Sequence, residues 1–190
     1  IARMRHRTRG RITCPLVLRA PYGAGIHAPE HHSESTEALF AHIPGLRVII
    51  PSTARQGYCL LRAAIQSPDP VLFLEPTRLY HQQEDCIDLD ATLPNLNQAR
   101  CCISGNDLTL ITWGAMLPEA IETVRWAHRH GISIELIDLV SIKPIDRVTI
   151  SNSVAHTGRA LIVHEAARTC GIGAEISAHL QETVWDSLLA

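Results

Sequence analysis

Residues 107–165 read DLTLITWGAMLPEAIETVRWAHRHGISIELIDLVSIKPIDRVTISNSVAHTGRALIVHE, and their pattern decides the fold. DLTLIT (107–112), ISIELIDL (132–139) and ALIVHE (160–165) are short apolar runs, and each predicts a buried strand. Between the first two, Pro118 suits the first turn of a helix. There Leu117, Ala120, Ile121, Val124, Ala127 and His128 recur at helical spacing until Gly131 ends the run. Residues 145–158 predict a second helix, closed by Gly158. Strand, helix, strand, helix with short loops implies an α/β fold with mostly parallel sheets covered by helices.

The alternation continues upstream. PLVLR (15–19), RVIIP (47–51) and PVLFLE (70–75) read as strands. Ser33 can cap a helix carrying Ala38, Leu39 and Ile43, which Pro44 and Gly45 stop. After Thr53, the stripe Gly57, Leu60, Leu61, Ala64 and Ile65 predicts a second amphipathic helix. Downstream, GAEISAHLQETVW (173–185) predicts the last helix. Residues 76–105 lose the pattern and carry acids at Glu84, Asp85, Asp88 and Asp90. The organisation read from this is a unit over 1–85, a linker over 86–105 and a second unit over 106–190.

The 190 residues are 46% hydrophobic and 19% charged, which excludes a disordered or collagen-like chain. Polar residues interrupt every apolar run before the ~18 to 20 residues a membrane span needs. The net charge of −2 hides five arginines within residues 1–11, so the remainder carries −7. That profile argues against a nucleic-acid partner. The six cysteines form no CxxC pair, which fits a reducing, cytoplasmic compartment better than a disulfide framework or a zinc ribbon. The chain opens on Ile1 and stops at WDSLLA without a cap, so both ends read as cut.

In such sheets ligands gather beyond the carboxyl ends of strands. The loop RAPYGAGIHAPEHHSES (19–35) places Gly23, Gly25, His27, His31, His32 and Ser33 there. An imidazole beside the positive end of a helix stays neutral and can move a proton. Plain hydrophilic loop residues are the alternative. HEAARTCGIGAE (164–175) puts His164 and Glu165 at another strand end and Gly171 and Gly173 at a helix start, but it lacks a nucleotide-type glycine motif. Cys170 reads as an inert thiol, Glu75 as either a functional carboxylate or half of a salt bridge, and His128 and His130 as helix-end caps.

Taken together, PLVLRAPYGAGIHAPEHHSESTEALFAHIPGLRVIIPST, LLRAAIQSPDPVLFLEPTRLY, TLITWGAM, IELIDLVSIKPID and TGRALIVHEAARTCGIGAEI resemble the beta subunit of the thiamine-diphosphate-dependent decarboxylating component of 2-oxo acid dehydrogenase complexes. The blocks run over essentially the whole chain in the family's order.

The resemblance implies a transketolase-like architecture. Residues 1–85 would be the later half of a pyrimidine-binding domain, and 106–190 a carboxy-terminal domain truncated at its end. His32 and Ser33 match the family's HS pair, which makes His32 the candidate catalytic histidine, assisting substrate positioning and acyl transfer to a lipoyl group. A structural potassium site would fall on Ala64, Ile65, Ser67 and Asp69. The implied cofactor is thiamine diphosphate, its magnesium and diphosphate held by an alpha subunit. The implied partners are that alpha subunit, a second beta subunit and a lipoyl-bearing acyltransferase core, in the cytoplasm or, in a eukaryote, the mitochondrial matrix. The Glu that contacts the cofactor's pyrimidine belongs to a family segment ahead of Ile1. The chain alone is therefore expected to be inactive, with an exposed apolar sheet edge. A non-catalytic remnant that keeps only subunit-binding surfaces is the alternative. Ala54, Gln56 and Tyr58 depart from the family's TPYDAKG helix start, and Cys170 stands where Gly is usual.

Overall fold

A computed structural model describes residues 1–84 and 91–189. Asp85, Asp88 and Asp90 of the acidic stretch, and the side chain of His31, lie outside the described residues. In chain order the elements are α1 (Met4–Arg7), β1 (Val17–Tyr22), α2 (Glu37–Ala41), β2 (Arg47–Ile49), α3 (Ala54–Ile65) and β3 (Val71–Pro76). Then follow β4 (Arg100–Ile103), β5 (Leu108–Thr112), α4 (Met116–Arg129), β6 (Ile134–Asp138), β7 (Ser141–Lys143), α5 (Arg147–Thr157), β8 (Ala160–Ile162) and α6 (Ile172–Thr183).

Two four-stranded sheets result, ordered β1-β3-β2-β7 and β4-β6-β5-β8. In the first, β1 and β2 both run parallel to β3 while β7 lies antiparallel to β2. In the second, β5 and β8 run parallel and β4 lies antiparallel to β6. Each sheet is therefore mixed by one antiparallel edge strand. Neither edge strand was expected from the sequence. Arg100–Ile103 falls inside the stretch read as a linker and is a strand, with Cys101 opposite Ile137. Ser141–Lys143 follows β6 closely, yet it crosses to the first sheet and sets Lys143 opposite Val48.

The helices bury the faces that their spacing allows. In α4, Leu117, Ala120, Val124 and Ala127 pack on Leu110, Ile134 and Leu136. Each fully buried aliphatic side chain contributes roughly 1.5–3 kcal/mol. In α3 the buried face is Gln56, Cys59, Leu60, Ala63 and Ala64, one residue behind the expected stripe, and Ile65 is exposed. The expected helix at Ser33 begins only at Glu37. Thr36 is its N-cap, and Ser33 sits in a 3-10 turn, its hydroxyl donating to the Ala28 carbonyl at 2.6 Å.

The main core draws on both sheets: Val48, Ile50, Leu72 and Leu74 of the first meet Ile111, Trp113, Ile137 and Leu139 of the second. Ile150, Val154, Ile172, Ile176 and Leu180 of α5 and α6 join the same cluster. At the other side of the first sheet β1 is an edge strand, and Leu16 and Leu18 are exposed there.

Candidate functional site

Three strand ends from the two sheets converge. β1 ends at Tyr22, β5 runs into Trp113, and β8 is followed by His164 and Glu165. Glu37, the first residue of α2, is fully buried among them and accepts a hydrogen bond from Trp113 Nε1 at 3.3 Å. Its second carboxylate oxygen, Oε2, is buried with no partner. Burial and the adjacent Glu37 push the Tyr22 hydroxyl above its ordinary value. The Trp113 indole stacks on His164 with ring centroids 5.0 Å apart. Burial lowers the His164 pKa, so the imidazole favours its neutral form. The opposite edge of that ring is set against Gly173, where an added Cβ would lie 2.5 Å from Nε2. Gly173 is required by this close approach.

His32 is exposed in the 3-10 turn over Glu30–Ser33, within the loop that joins β1 to α2. The loop turns through positive φ at Gly23, Gly25, His27 and Glu30, and the Gly23 amide donates to the Glu34 carbonyl at 3.2 Å. Because α2 starts at Glu37, His32 stands one turn ahead of the helix rather than at its first residue. Glu165 lies over this loop: its Oε2 would be 3.0 Å from a Cβ at Gly23. Burial raises the Glu165 pKa, and the charge of Arg78 opposes the rise.

The other sequence candidates are placed elsewhere. Glu75 accepts from Arg19 Nε at 2.6 Å and from the Tyr80 hydroxyl at 2.9 Å, so it is half of an ion pair. His130 caps its helix, with Nδ1 2.8 Å from the Trp126 carbonyl. Cys170 is exposed at positive φ just before α6.

A second polar cluster escaped sequence reading entirely. Asp138, at the end of β6, is fully buried. Its Oδ1 accepts from Ser52 Oγ at 2.9 Å and from the Val140 amide at 3.3 Å, and its Oδ2 accepts from Gln56 Nε2 at 2.8 Å. Ser52 Oγ also accepts from the Gly114 amide at 2.8 Å, and the Ser52 amide donates to Gln56 Oε1 at 2.7 Å. Burial raises the Asp138 pKa against these donors. The network ties the β2–α3 loop of the first sheet to the strand ends of the second.

This arrangement of two α/β layers with a shared core has known counterparts. The profile of the transketolase pyrimidine-binding domain matches residues 1–83, and that of the transketolase C-terminal domain matches residues 98–190. Pyruvate dehydrogenase E1 component subunit beta of Acholeplasma laidlawii is 44% identical over 189 residues, covering 100% of this chain and 58% of that protein. 3-Methyl-2-oxobutanoate dehydrogenase subunit beta of Mycobacterium tuberculosis is 41% identical over 191 residues, covering 100% of this chain and 55% of that protein. The chain belongs to the transketolase-like beta subunits of 2-oxo acid dehydrogenases. It spans little more than half the length of these relatives. A solved structure described as a split gene transketolase, inactive beta4 tetramer, superposes with a TM-score of 0.73 over 95% of this chain and 59% of that one, at 23% identity. The fold is transketolase-like.

Membership of this family implies thiamine diphosphate. The carboxylate with a spare oxygen, Glu37, is 0% exposed, with its other oxygen bonded to Trp113. No group of three or more His, Cys, Asp or Glu able to hold a metal occurs among the described residues. The turn named for potassium, residues 64–69, is closed by its own hydrogen bonds. The Ala64 carbonyl accepts from the Ser67 amide at 3.1 Å, and the Asp69 carbonyl accepts from Ser67 Oγ at 3.1 Å. The Asp69 carboxylate meets the guanidiniums of Arg5 at 2.9 Å and Arg47 at 3.5 Å.

Proposed function

We propose that this chain is the part of a beta subunit that presents His32 to the active site of a 2-oxo acid dehydrogenase decarboxylating component. The observation that carries the reading is the position of His32: exposed, beyond the carboxyl end of β1, on a loop whose two ends are buried against the strand ends of the second sheet. An exposed imidazole on an anchored loop can pass a proton to or from a bound substrate. In this reading an alpha subunit and a second beta chain complete the site. They bring the residues that hold thiamine diphosphate and magnesium, together with those of the beta subunit's remaining length. The substrate class is a 2-oxo acid, pyruvate or a branched-chain analogue. The acyl group leaves on a lipoyl-lysine of an acyltransferase core, in the cytoplasm or the mitochondrial matrix. The chain alone is inactive.

The test is co-expression of the whole beta chain with its alpha subunit, followed by carbon dioxide release from each 2-oxo acid. His32→Ala should lower the rate of acyl transfer to a lipoyl domain by ~100-fold or more, the scale of general acid–base assistance. Full activity in that variant would reject the assignment. Association with alpha without any carbon dioxide release would favour a non-catalytic binding role.

A further inference from the structure

The loop that carries His32 needs an external hold. Among the described bonds within it are one cross-loop backbone bond, Gly23 to Glu34, and the Ser33 to Ala28 bond. Four of its backbone positions sit at positive φ, two of them in residues other than glycine. Such positions persist only where their surroundings over-determine them.

The surroundings are supplied from outside the loop. At the loop's start, Thr77 Oγ1 donates to the Tyr22 carbonyl at 3.4 Å. One residue on, the Arg78 stem lies along Gly25, with Cδ, Cγ and Cβ at 3.0, 3.3 and 3.6 Å from the place a Cβ would occupy. The Arg78 head pairs with Glu119 of α4, and its charge is felt by Glu165, whose Oε2 is seated on Gly23. Arg78 thus reaches from the end of the first sheet, across one loop glycine, to Glu119 in the second sheet's layer. Both glycines stand at φ near +90°, where a side chain would be strained as well as crowded.

We infer that Arg78, held by Glu119, is a positioning residue that fixes the His32 loop on the second sheet. This rests on the reading of His32 given above. Arg78 does not touch a reacting group; it acts through the loop. A surface ion pair adds little stability, so the consequence lies in geometry. A misplacement of about 1 Å at a reacting group can cost ~100-fold in rate.

Two measurements decide it. In the 190-residue chain, Arg78→Ala should speed hydrogen exchange of amides 24–34 about tenfold while the amides of β3 and β5 keep their protection. Unchanged exchange in the loop overturns the clamp. In the holoenzyme of alpha and whole beta chains, Arg78→Ala should lower kcat for acyl transfer by ~10- to 100-fold with KM for the 2-oxo acid unchanged. Arg78→Lys, which keeps stem and charge, should recover part of the loss. Combined with His32→Ala, the Arg78→Ala change should cost less than ~2-fold more, since residues acting through one another are not additive. Fully additive losses overturn the positioning role and leave His32 standing. A His32→Ala enzyme of full activity overturns the reading beneath it.

Discussion

Asp138→Asn is a small change in shape that should be costly. The carboxylate receives three donors, from Ser52 Oγ, the Val140 amide and Gln56 Nε2, and it is fully buried. An amide offers one oxygen. Turned to keep Ser52 and Val140, it sets its own NH2 against Gln56 Nε2. Rotating the Gln56 amide only moves the conflict, because Gln56 Oε1 is then lost to the Ser52 amide. One buried donor stays unpaired in every arrangement, costing ~1–3 kcal/mol. The bonds that remain lose their charge assistance. The sum is about 2–4 kcal/mol, which for a chain of this size lowers Tm by roughly 5–15 °C. Thermal unfolding followed by circular dichroism reads it directly. The same reasoning gives a rescue: with Gln56→Glu added, the new carboxylate accepts from both the Ser52 amide and the new amide at 138, so every donor is again paired. The double variant should regain most of the lost stability. A single variant as stable as wild type, or a double variant no better than the single, refutes the reasoning.

Other outcomes follow from the same contacts. His164 has a depressed folded pKa, so its contribution is complete above the ordinary imidazole value of about 6.5 and is lost as pH falls below it. The stability difference between wild type and His164→Asn, from urea titrations, should therefore shrink between pH 7 and pH 5. Asp138 and Glu165 have raised folded values and act in the opposite sense: their contribution is complete below the ordinary carboxylate range and is lost as pH rises through the raised values. Removing Asp138 should accordingly flatten the fall in stability above about pH 4. Trp113→Phe deletes the donor to Glu37 Oε1 and should cost ~1–3 kcal/mol in chemical denaturation. Gly105→Ala sets a Cβ 2.2 Å from the Ile134 carbonyl carbon, forcing β6 to shift, and should cost at least ~1–3 kcal/mol by the same measurement.

The parts of the fold that the sequence declares are those whose neighbours are local. Of the α4 stripe, Leu117, Ala120, Val124 and Ala127 are read correctly because all are small or aliphatic and face one sheet, while Ile121 is half-buried and His128 is exposed. The α3 face is misread by one residue because Gln56 belongs to the core, and a glutamine is inward only where Asp138, 82 residues away, awaits its amide. The strands β4 and β7 are short, β4 cysteine-rich and largely exposed and β7 only three residues long, so no two-residue alternation marks them. At the site, glycines and histidines announce the loop of His32. Tyr22, Glu37 and Trp113 do not announce themselves, since each looks ordinary until chain segments 76 residues apart are brought together.

The crossing of Ser141–Lys143 into the first sheet has a consequence for how this protein can be taken apart. The slot beside β2 is filled by chain that belongs, by order, to the other half. A protease cut between β3 and β4 should therefore yield two pieces that stay associated and melt together, and neither piece should fold by itself. Exchange of C-terminal halves among related subunits should succeed only when the recipient's β2 and the donor's β7 agree in register. Evolution can shuffle such halves only as a matched pair.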